Sequence, residues 1–257
     1  MLIIDDLSEI PALPGPISLS IGNFDGVHLG HKSLLSRLRE RAGPNGTSAI
    51  LSFINHPATV LAGKPAAPAI CTLEHKIELL KRAGVDLAIF LTFSKELAKE
   101  PFDLFLKQIK KKLPFSFLIL GKGAAFGHAR QGDETRVKAV EKELDFQAEY
   151  LSKEELNGEV VSSGRIRKEI EKGDLALLEK LLNRPYSIYA RVGENGAVHC
   201  KDLALLPSGS YEVCCKSDQK KIFTTAKIDR EHSAIAIDLS SAYHLSSSDP
   251  VEIIFKV

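Results

Sequence analysis

The stretch Ile21-Gly-Asn-Phe-Asp-Gly-Val-His-Leu-Gly-His31 connects a predicted strand to a predicted helix. The short apolar run Ile17–Ile21 comes before it, and apolar residues at helical spacing follow over residues 32–42. The backbone N–H groups at the start of a helix have no partners within the helix, so they attract an anion such as phosphate. Glycines in the turn allow the backbone to come close to that anion. The stretch therefore predicts a site of phosphate chemistry.

Two histidines of this stretch, His28 and His31, lie three residues apart and would share one face of a first helical turn. Imidazole groups placed there can donate hydrogen bonds to phosphate oxygens. The alternative interpretation is that they are ordinary surface or core histidines. A metal site is disfavoured because no third ligand stands at a recognisable spacing. The turn matches neither a Walker A loop nor a Gly-x-Gly-x-x-Gly loop.

The composition is that of an ordinary globular protein, with 257 residues, of which 44% are hydrophobic and 26% are charged. The net charge of +1 gives no bulk attraction to nucleic acid or to a membrane surface. No apolar stretch reaches the roughly 20 residues of a membrane span. We therefore expect a cytoplasmic protein without nucleic-acid or membrane partners, and the sequence leaves its oligomeric state open. Four cysteines are expected to be buried thiols: Cys71, Cys200, Cys214 and Cys215.

Strand-like and helix-like segments alternate up to about residue 151, which predicts a parallel sheet with helices on both faces. Loops that begin near Gly22, Asn55 and Gly121 follow predicted strands, so they should meet at the edge where such sheets bind ligands. Residues 58–70 are expected to form an irregular flap. From residue 187 onward, alternating polarity and turn residues predict a small antiparallel β domain. The strands are predicted at 17–21, 47–54, 85–93, 115–120 and 146–151, and then at 187–192, 210–215, 222–228, 234–239 and 251–257.

The stretch Val161-Ser-Ser-Gly-Arg-Ile-Arg167 opens another predicted helix, with Ser162 or Ser163 as its N-terminal cap. Arg165 and Arg167 fall in the first turn, where positive charge opposes the helix dipole. Either the two arginines form a solvated cationic turn, or an anion such as a triphosphate balances them. The residues alone leave both interpretations open.

Four motifs of the chain resemble those of one protein family. The string from Gly22 to His31 resembles the His-x-Gly-His signature of the nucleotidylyltransferase superfamily. In its extended form it resembles the adenylyltransferase module of the bacterial bifunctional riboflavin kinase/FAD synthetases. His56-Pro57 is similar to the element after that family's second strand. The stretch LGKGAAFGHARQG at 120–132 resembles its flavin-side loop, and VSSGRIR at 161–167 resembles its Ser-Ser-Thr-x-Ile-Arg motif.

The resemblance implies an α/β fold. A Rossmann-like nucleotidylyltransferase domain with a parallel sheet would span residues 1–186, and a small C-terminal antiparallel β domain, similar to a degenerate riboflavin kinase barrel, would span 187–257. It also implies transfer of AMP from ATP to FMN, giving FAD and pyrophosphate, with Mg²⁺ entering with ATP and no protein cage for the metal. The implied site residues are His28, His31 and Arg167 for catalysis; Gly22, Asn23, Phe24, Asp25, Gly30, Ser162 and Ser163 for the ATP phosphates; and His56, Pro57, Gly123, Phe126 and Arg130 on the flavin side.

The chain also departs from the family pattern. Gly123 stands where the family has Asp or Asn, Ala124 where it has Phe, and Gly164 where it has Thr. The Pro-Thr-Ala-Asn stretch of the kinase module is absent after Arg184, which implies that riboflavin kinase activity is lost. The alternatives are a nucleotidylyltransferase with another acceptor, a full bifunctional enzyme, and a catalytically silent nucleotide-binding protein.

Overall fold

The computed structural model describes residues 1–62, 66–217, 220–240 and 250–257. Its contacts divide the chain into two compact units. The first unit comprises Met1–Phe24, Gly30–Ala66 and Ile77–Glu154, and the second comprises Asp25–Leu29, Ala67–Lys76 and Glu155–Val257. The expected domains, 1–186 and 187–257, remain a prediction about which parts of the chain fold on their own.

The first unit contains the predicted parallel sheet. Its six strands run in the order β1-β4-β3-β2-β5-β6, and every neighbouring pair is parallel. All five residues of β2 are buried, as expected for a strand covered on both faces. The short edge strand β1 was not predicted from the sequence. The strands are β1 Leu2–Ile4, β2 Ile17–Ile21, β3 Thr47–Phe53, β4 Leu87–Leu91, β5 Phe117–Gly121 and β6 Gln147–Leu151.

Helices connect these strands, and among the described residues two of these helices begin at a side-chain cap that the sequence predicts. Thr72 accepts a hydrogen bond from the His75 N–H at the start of α3, and Asp133 accepts one from the Arg136 N–H at the start of α5. The segment after Asp133 forms two short helices, α5 and α6, which meet at Val140. The helices are α1 Leu29–Ala42, α2 Pro57–Ala62, α3 Leu73–Arg82, α4 Phe102–Lys112, α5 Glu134–Ala139 and α6 Glu141–Leu144.

The expectation of an irregular flap over residues 58–70 was wrong in its first part. Helix α2 begins at Pro57, a position where proline is favoured because its missing N–H would have no helical partner. The His56 ring nitrogen Nδ1 accepts a hydrogen bond from the Ala58 N–H at 3.1 Å. These two features favour a short helix here, although the prolines at 65 and 68 had indicated irregular structure. The middle of the predicted flap, 63–65, lies outside the described residues.

The second unit contains the predicted antiparallel sheet, whose six strands within the described residues run in the order β10-β13-β12-β11-β14-β9. Strand β10 was not predicted, because a three-residue strand after a turn shows too little alternation. Helices α7 Ser163–Lys172 and α8 Leu175–Leu182 share one apolar core with this sheet. The sheet strands are β9 Ser187–Ala190, β10 Ala197–His199, β11 Gly209–Lys216, β12 Lys221–Asp229, β13 Ala234–Ile237 and β14 Val251–Phe255; between α6 and α7, strands β7 Glu155–Leu156 and β8 Glu159–Val160 form a small hairpin.

Candidate active site

The turn after β2 has an unusual backbone. Phe24, Gly26 and Val27 have positive φ angles of 50°, 72° and 39°. Two of these residues are not glycine, and such strained conformations cluster at functional sites. Gly26 cannot be replaced without a clash, because an added Cβ would lie 2.6 Å from the Ile70 Cγ2. The positive φ and the close contact with Ile70 therefore both require glycine at position 26.

An apolar cavity of about 430 Å³ lies in the first unit at the carboxyl ends of its strands. The wall includes Ile21 from the end of β2, Phe53 from the end of β3 and Ala124 from the loop after β5. This is the edge at which the sequence predicted a ligand site. Six of the predicted site residues line the cavity: Gly22, Asn23, His56, Pro57, Phe126 and Arg130.

Gly123 is not one of the described residues that line this cavity. The family resemblance implied that it lies on the flavin side. Its φ of 84° turns the backbone into the left-handed region, and its neighbours Ala124 and Ala125 supply that part of the wall instead. The Gly123 carbonyl accepts a hydrogen bond from the Arg130 Nη2 at 3.4 Å. Gly123 thus contacts a lining residue through its backbone.

His31 is half-buried at the first turn of α1. Its ring lies against the Phe24 ring, with 5.2 Å between the centroids and 51° between the planes. Phe24 itself is buried, so the aromatic contact restricts the rotation of the imidazole. The structure therefore gives this predicted catalytic histidine a defined position beside the turn.

The carboxylate of Asp25 is the centre of a buried network in the second unit. It accepts hydrogen bonds from the Ile70 N–H at 2.9 Å and the Cys71 N–H at 3.3 Å. The Arg167 Nη2 lies 2.6 Å from the same carboxylate, and the Arg167 Nε donates to the Pro68 carbonyl at 2.6 Å. Asp25 and Arg167 are 142 residues apart. The sequence offered no signal that would pair them.

His28 is buried in the same unit, and its environment keeps it neutral. Burial, and after it the positive charge of Arg184, lowers the pKa of His28 from 6.5 to about 4. A neutral imidazole carries a single N–H, so it can donate one hydrogen bond to an oxygen. The Arg184 Nη2 donates to the Gly26 carbonyl at 2.9 Å. Arg184 was not among the predicted site residues.

The structure at the start of α7 shows which of the two serines is the cap and how the charge of one of the two arginines is balanced. Ser162 is the cap, because its Oγ accepts a hydrogen bond from the Arg165 N–H at 3.2 Å. The Arg165 guanidinium donates to the Leu156 and Glu159 carbonyls and lies 3.1 Å from the Glu159 carboxylate. Its charge is therefore balanced within the protein. Ser163 is the first helical residue.

A sequence model of the FAD synthetase family matches residues 11–165, which is more than half of the chain. This chain belongs to the FAD synthetase family. The matched range includes the turn after β2, the cavity wall and the Ser162 cap. It ends before Arg167 and Arg184.

Named relatives support the same assignment. A protein of Haemophilus influenzae named bifunctional riboflavin kinase/FMN adenylyltransferase is 37% identical over 68% of this chain and 58% of its own length. The protein of that name from Escherichia coli K12 is 31% identical over 68% of this chain and 56% of its own length. The chain thus spans little more than half the length of these relatives.

A solved structure shares the fold of this FAD synthetase-family protein. A crystal structure described as a macrolide-efflux protein from Streptococcus pneumoniae superposes with a TM-score of 0.79, covering 99% of this chain and 88% of the other. The two sequences are 21% identical, so the likeness concerns the fold alone.

All four cysteines are buried and free, as predicted. Within the described ranges no cluster of three or more His, Cys, Asp or Glu residues could hold a metal ion. The same residues contain no helix with the length and hydropathy that a bilayer crossing requires.

Proposed function

We propose that this protein is an FMN adenylyltransferase, which transfers AMP from ATP to FMN and releases FAD and pyrophosphate. The observation that carries the proposal is the apolar cavity whose wall contains Gly22 and Asn23 of the signature turn. The names of the relatives, which include FMN adenylyltransferase, support the same activity.

The cavity suits an acceptor with a flat apolar ring system. Its wall contains four phenylalanines, and its volume falls within the range of small-molecule sites. Aromatic side chains pack well against the faces and edges of another ring system. His56, Asn23 and Arg130 supply polar groups at the wall, which would orient the isoalloxazine ring of FMN. The phenylalanines are Phe53, Phe93, Phe105 and Phe126.

The reaction joins two phosphates and needs no covalent enzyme intermediate. An oxygen of the FMN phosphate attacks the α-phosphorus of ATP, and the bond from that phosphorus to pyrophosphate breaks. The attacking phosphate is already an anion, so no general base is required. Catalysis then depends on alignment and on hydrogen bonds to oxygens that gain charge. The N–H groups at the start of α1, together with His28 and His31, are the proposed donors.

Arg167 is the proposed contact for the β- and γ-phosphates. Two of its five guanidinium donors are committed to Asp25 and the Pro68 carbonyl, which fixes the plane of the group. A fixed guanidinium has less rotamer entropy to lose when it binds phosphate. Asp25 is buried and already accepts three hydrogen-bond donors, so its role is to hold the turn and Arg167.

Mg²⁺ is proposed to enter as part of the MgATP substrate. This ion binds substrate phosphates and keeps several water ligands, so it needs only one or two protein carboxylates. Asp25 is engaged by Ile70, Cys71 and Arg167 and is poorly suited to that role.

The second unit is proposed to lack riboflavin kinase activity. Its sequence from Arg184 to Val257 contains no Pro-Thr-Ala-Asn stretch. A kinase must bind a further MgATP and orient the riboflavin hydroxyl towards the γ-phosphate. The antiparallel sheet is nevertheless complete enough to form a core with α7 and α8.

One set of reactions tests these assignments. The pure protein is incubated with MgATP and FMN, or with MgATP and riboflavin, and the products are separated by chromatography. We expect FAD from FMN and neither FMN nor FAD from riboflavin. FMN or FAD formed from riboflavin would establish the bifunctional alternative. If no FAD forms from FMN, the proposed function is contradicted. Pyrophosphate release with another phosphate-bearing acceptor would then identify a different nucleotidylyltransferase. No pyrophosphate release with any acceptor would indicate a silent nucleotide-binding protein.

A further inference from the structure

Arg184 occupies a defined place at the end of α8. Asn183 follows the helix in the left-handed conformation, with φ 49°, and the Arg184 N–H donates back to the Glu179 carbonyl at 3.1 Å. This arrangement is a common way of closing a helix end, and it fixes the direction in which the next side chain leaves. The Arg184 Nη2 donates to the Gly26 carbonyl at 2.9 Å.

The antiparallel sheet anchors the residues that follow. Tyr186 is 2% exposed, and its hydroxyl donates to the Ala204 carbonyl at 2.9 Å. Its carbonyl accepts from the Phe255 N–H at 3.0 Å, and the two rings lie 5.5 Å apart. The backbone on the C-terminal side of Arg184 is thereby tied to β14.

The same sheet unit also holds the other side of the turn. Ala69 forms a parallel bridge with Leu203, in which the Ala69 N–H donates to the Asp202 carbonyl and the Ala204 N–H donates to the Ala69 carbonyl. The next two residues, Ile70 and Cys71, donate their N–H groups to Asp25. The Cys71 Sγ accepts a hydrogen bond from the Gly26 N–H at 3.2 Å.

Gly26 is therefore held at both backbone groups. Cys71 binds its N–H, and Arg184 binds its carbonyl. His28 lies two residues further on and is buried, so a change in the Gly26 peptide would move the imidazole. Of these two contacts, only the one from Arg184 is a charge-assisted hydrogen bond, which is the stronger kind.

We infer that Arg184 is a positioning residue for His28: the antiparallel-sheet unit fixes Arg184, and Arg184 fixes the turn that carries His28. This unit would then contribute to adenylyl transfer without catalysing a reaction of its own. The inference rests on the proposed function only for its kinetic consequence, since the geometry of the turn can be measured without turnover.

The kinetic test compares three full-length variants. In Arg184→Gln we expect kcat for FAD formation to fall about 100-fold, as for a reacting group displaced by about 1 Å, with a smaller change in KM for FMN. Arg184→Lys keeps the charge and one donor, so it should recover most of the activity, and it serves as the informative variant if Arg184→Gln does not fold. Arg230→Gln removes an exposed arginine from the same unit and should behave as wild type. A kcat in Arg184→Gln equal to that of Arg230→Gln would overturn the inference.

The second readout is the titration of His28 followed by NMR, with His28→Gln used to assign the signal. In Arg184→Gln the loss of positive charge should raise the midpoint of the His28 titration above the wild-type value. In Arg184→Lys and Arg230→Gln that midpoint should stay at the wild-type value. A loss of kcat in Arg184→Gln with an unchanged His28 midpoint would overturn the inference, because Arg184 would then act elsewhere. If wild-type protein forms no FAD, the proposed function fails, and the backbone amide chemical shifts of Gly26, Val27 and His28 decide the role of Arg184: shifts in Arg184→Gln equal to those in Arg230→Gln would overturn the inference.

Discussion

The cavity of the first unit and the turn of the second unit are built from different interactions. The cavity is lined mainly by apolar side chains at the ends of parallel strands, and its wall comes from loops that a topology rule brings together. The turn is held by buried charged and polar groups, with Asp25 and Arg184 as its main contacts. Apolar patterns can be recognised along a sequence, whereas individual pairs of charges cannot. The two regions should therefore respond differently to substitution.

The largest effect is expected from Asp25→Ala in the buried network. This change leaves Arg167 without its carboxylate and leaves the Ile70 and Cys71 N–H groups without their acceptor, so we expect a loss of about 3–5 kcal/mol in the free energy of unfolding. Urea denaturation at pH 7 measures it. Asp5→Ala, which removes an exposed carboxylate, is the matched control. A loss below about 1 kcal/mol, as for a surface ion pair, would contradict the network.

His31→Ala tests a residue of the first unit that is proposed to act on the transition state. Loss of one donor to developing charge should raise the activation free energy by about 2.7–4 kcal/mol, while the fold stays intact. The measurements are kcat for FAD formation and the circular dichroism spectrum. His199→Ala removes an exposed histidine and provides the comparison. Near wild-type turnover in His31→Ala would remove this histidine from the mechanism.

His28 should make stability depend on pH. Its folded pKa of about 4 is below the unfolded value of 6.5, so between these pH values the unfolded chain binds a proton that the folded protein does not. The contribution of neutral His28 to the free energy of unfolding is therefore fully present above pH 6.5. It is lost as the pH falls towards 4, which lowers the free energy of unfolding by about 3 kcal/mol in total. Unfolding free energies of wild type and His28→Gln across this range measure the difference. Parallel curves for the two proteins would show that His28 does not titrate in this way.

Ala125→Phe tests whether the cavity holds the acceptor, because Ala125 lines the wall at a position where the family pattern has no fixed residue. A phenyl group added to the wall would occupy space needed by the isoalloxazine ring, and we expect FMN binding to weaken by about 1–3 kcal/mol. Fluorescence titration of FMN measures the affinity, and KM for ATP serves as the internal control. Equal losses for both substrates, or no loss for FMN, would place the acceptor outside this cavity.

Gly123→Asn should have the smallest effect. Asparagine tolerates the left-handed conformation at φ 84°, and an added Cβ would meet only the Lys153 Nζ, at 3.9 Å. Because Gly123 is not part of the cavity wall, FMN affinity should change by less than about 0.5 kcal/mol. The same fluorescence titration serves here. A clear tightening would restore the interpretation, suggested by the family pattern, that this position faces flavin.

Much of the first unit could be predicted because apolar runs and caps are local signals. Strand β3 was recognised from its residues alone, and the caps Thr72 and Asp133 act within three residues. Strand β1 was missed because three residues carry too little pattern.

The candidate site was predicted only where a motif names its residues. Asn23 was expected at the ATP phosphates and His56 on the flavin side, and both line the cavity. Arg184 was missed because its partner is the Gly26 carbonyl, a backbone group with no sequence signature. The flavin-side assignment of Gly123 came from the family resemblance and stays a prediction, since the two residues after it line the cavity and Gly123 itself has a positive φ.

The contacts of Gly26 also set the order in which this protein can acquire its final shape during synthesis. The Cys71 contact spans 45 residues and the Arg184 contact spans 158, so strand β2 and helix α1 leave the ribosome long before the second contact can form. Contacts of such long sequence separation form late, because a large loop must close first. The strands of the first unit can pair as they emerge. The Gly26 carbonyl gains its Arg184 donor only after α8 has been made, so a chain released early would have much of its sheet but a turn without this contact.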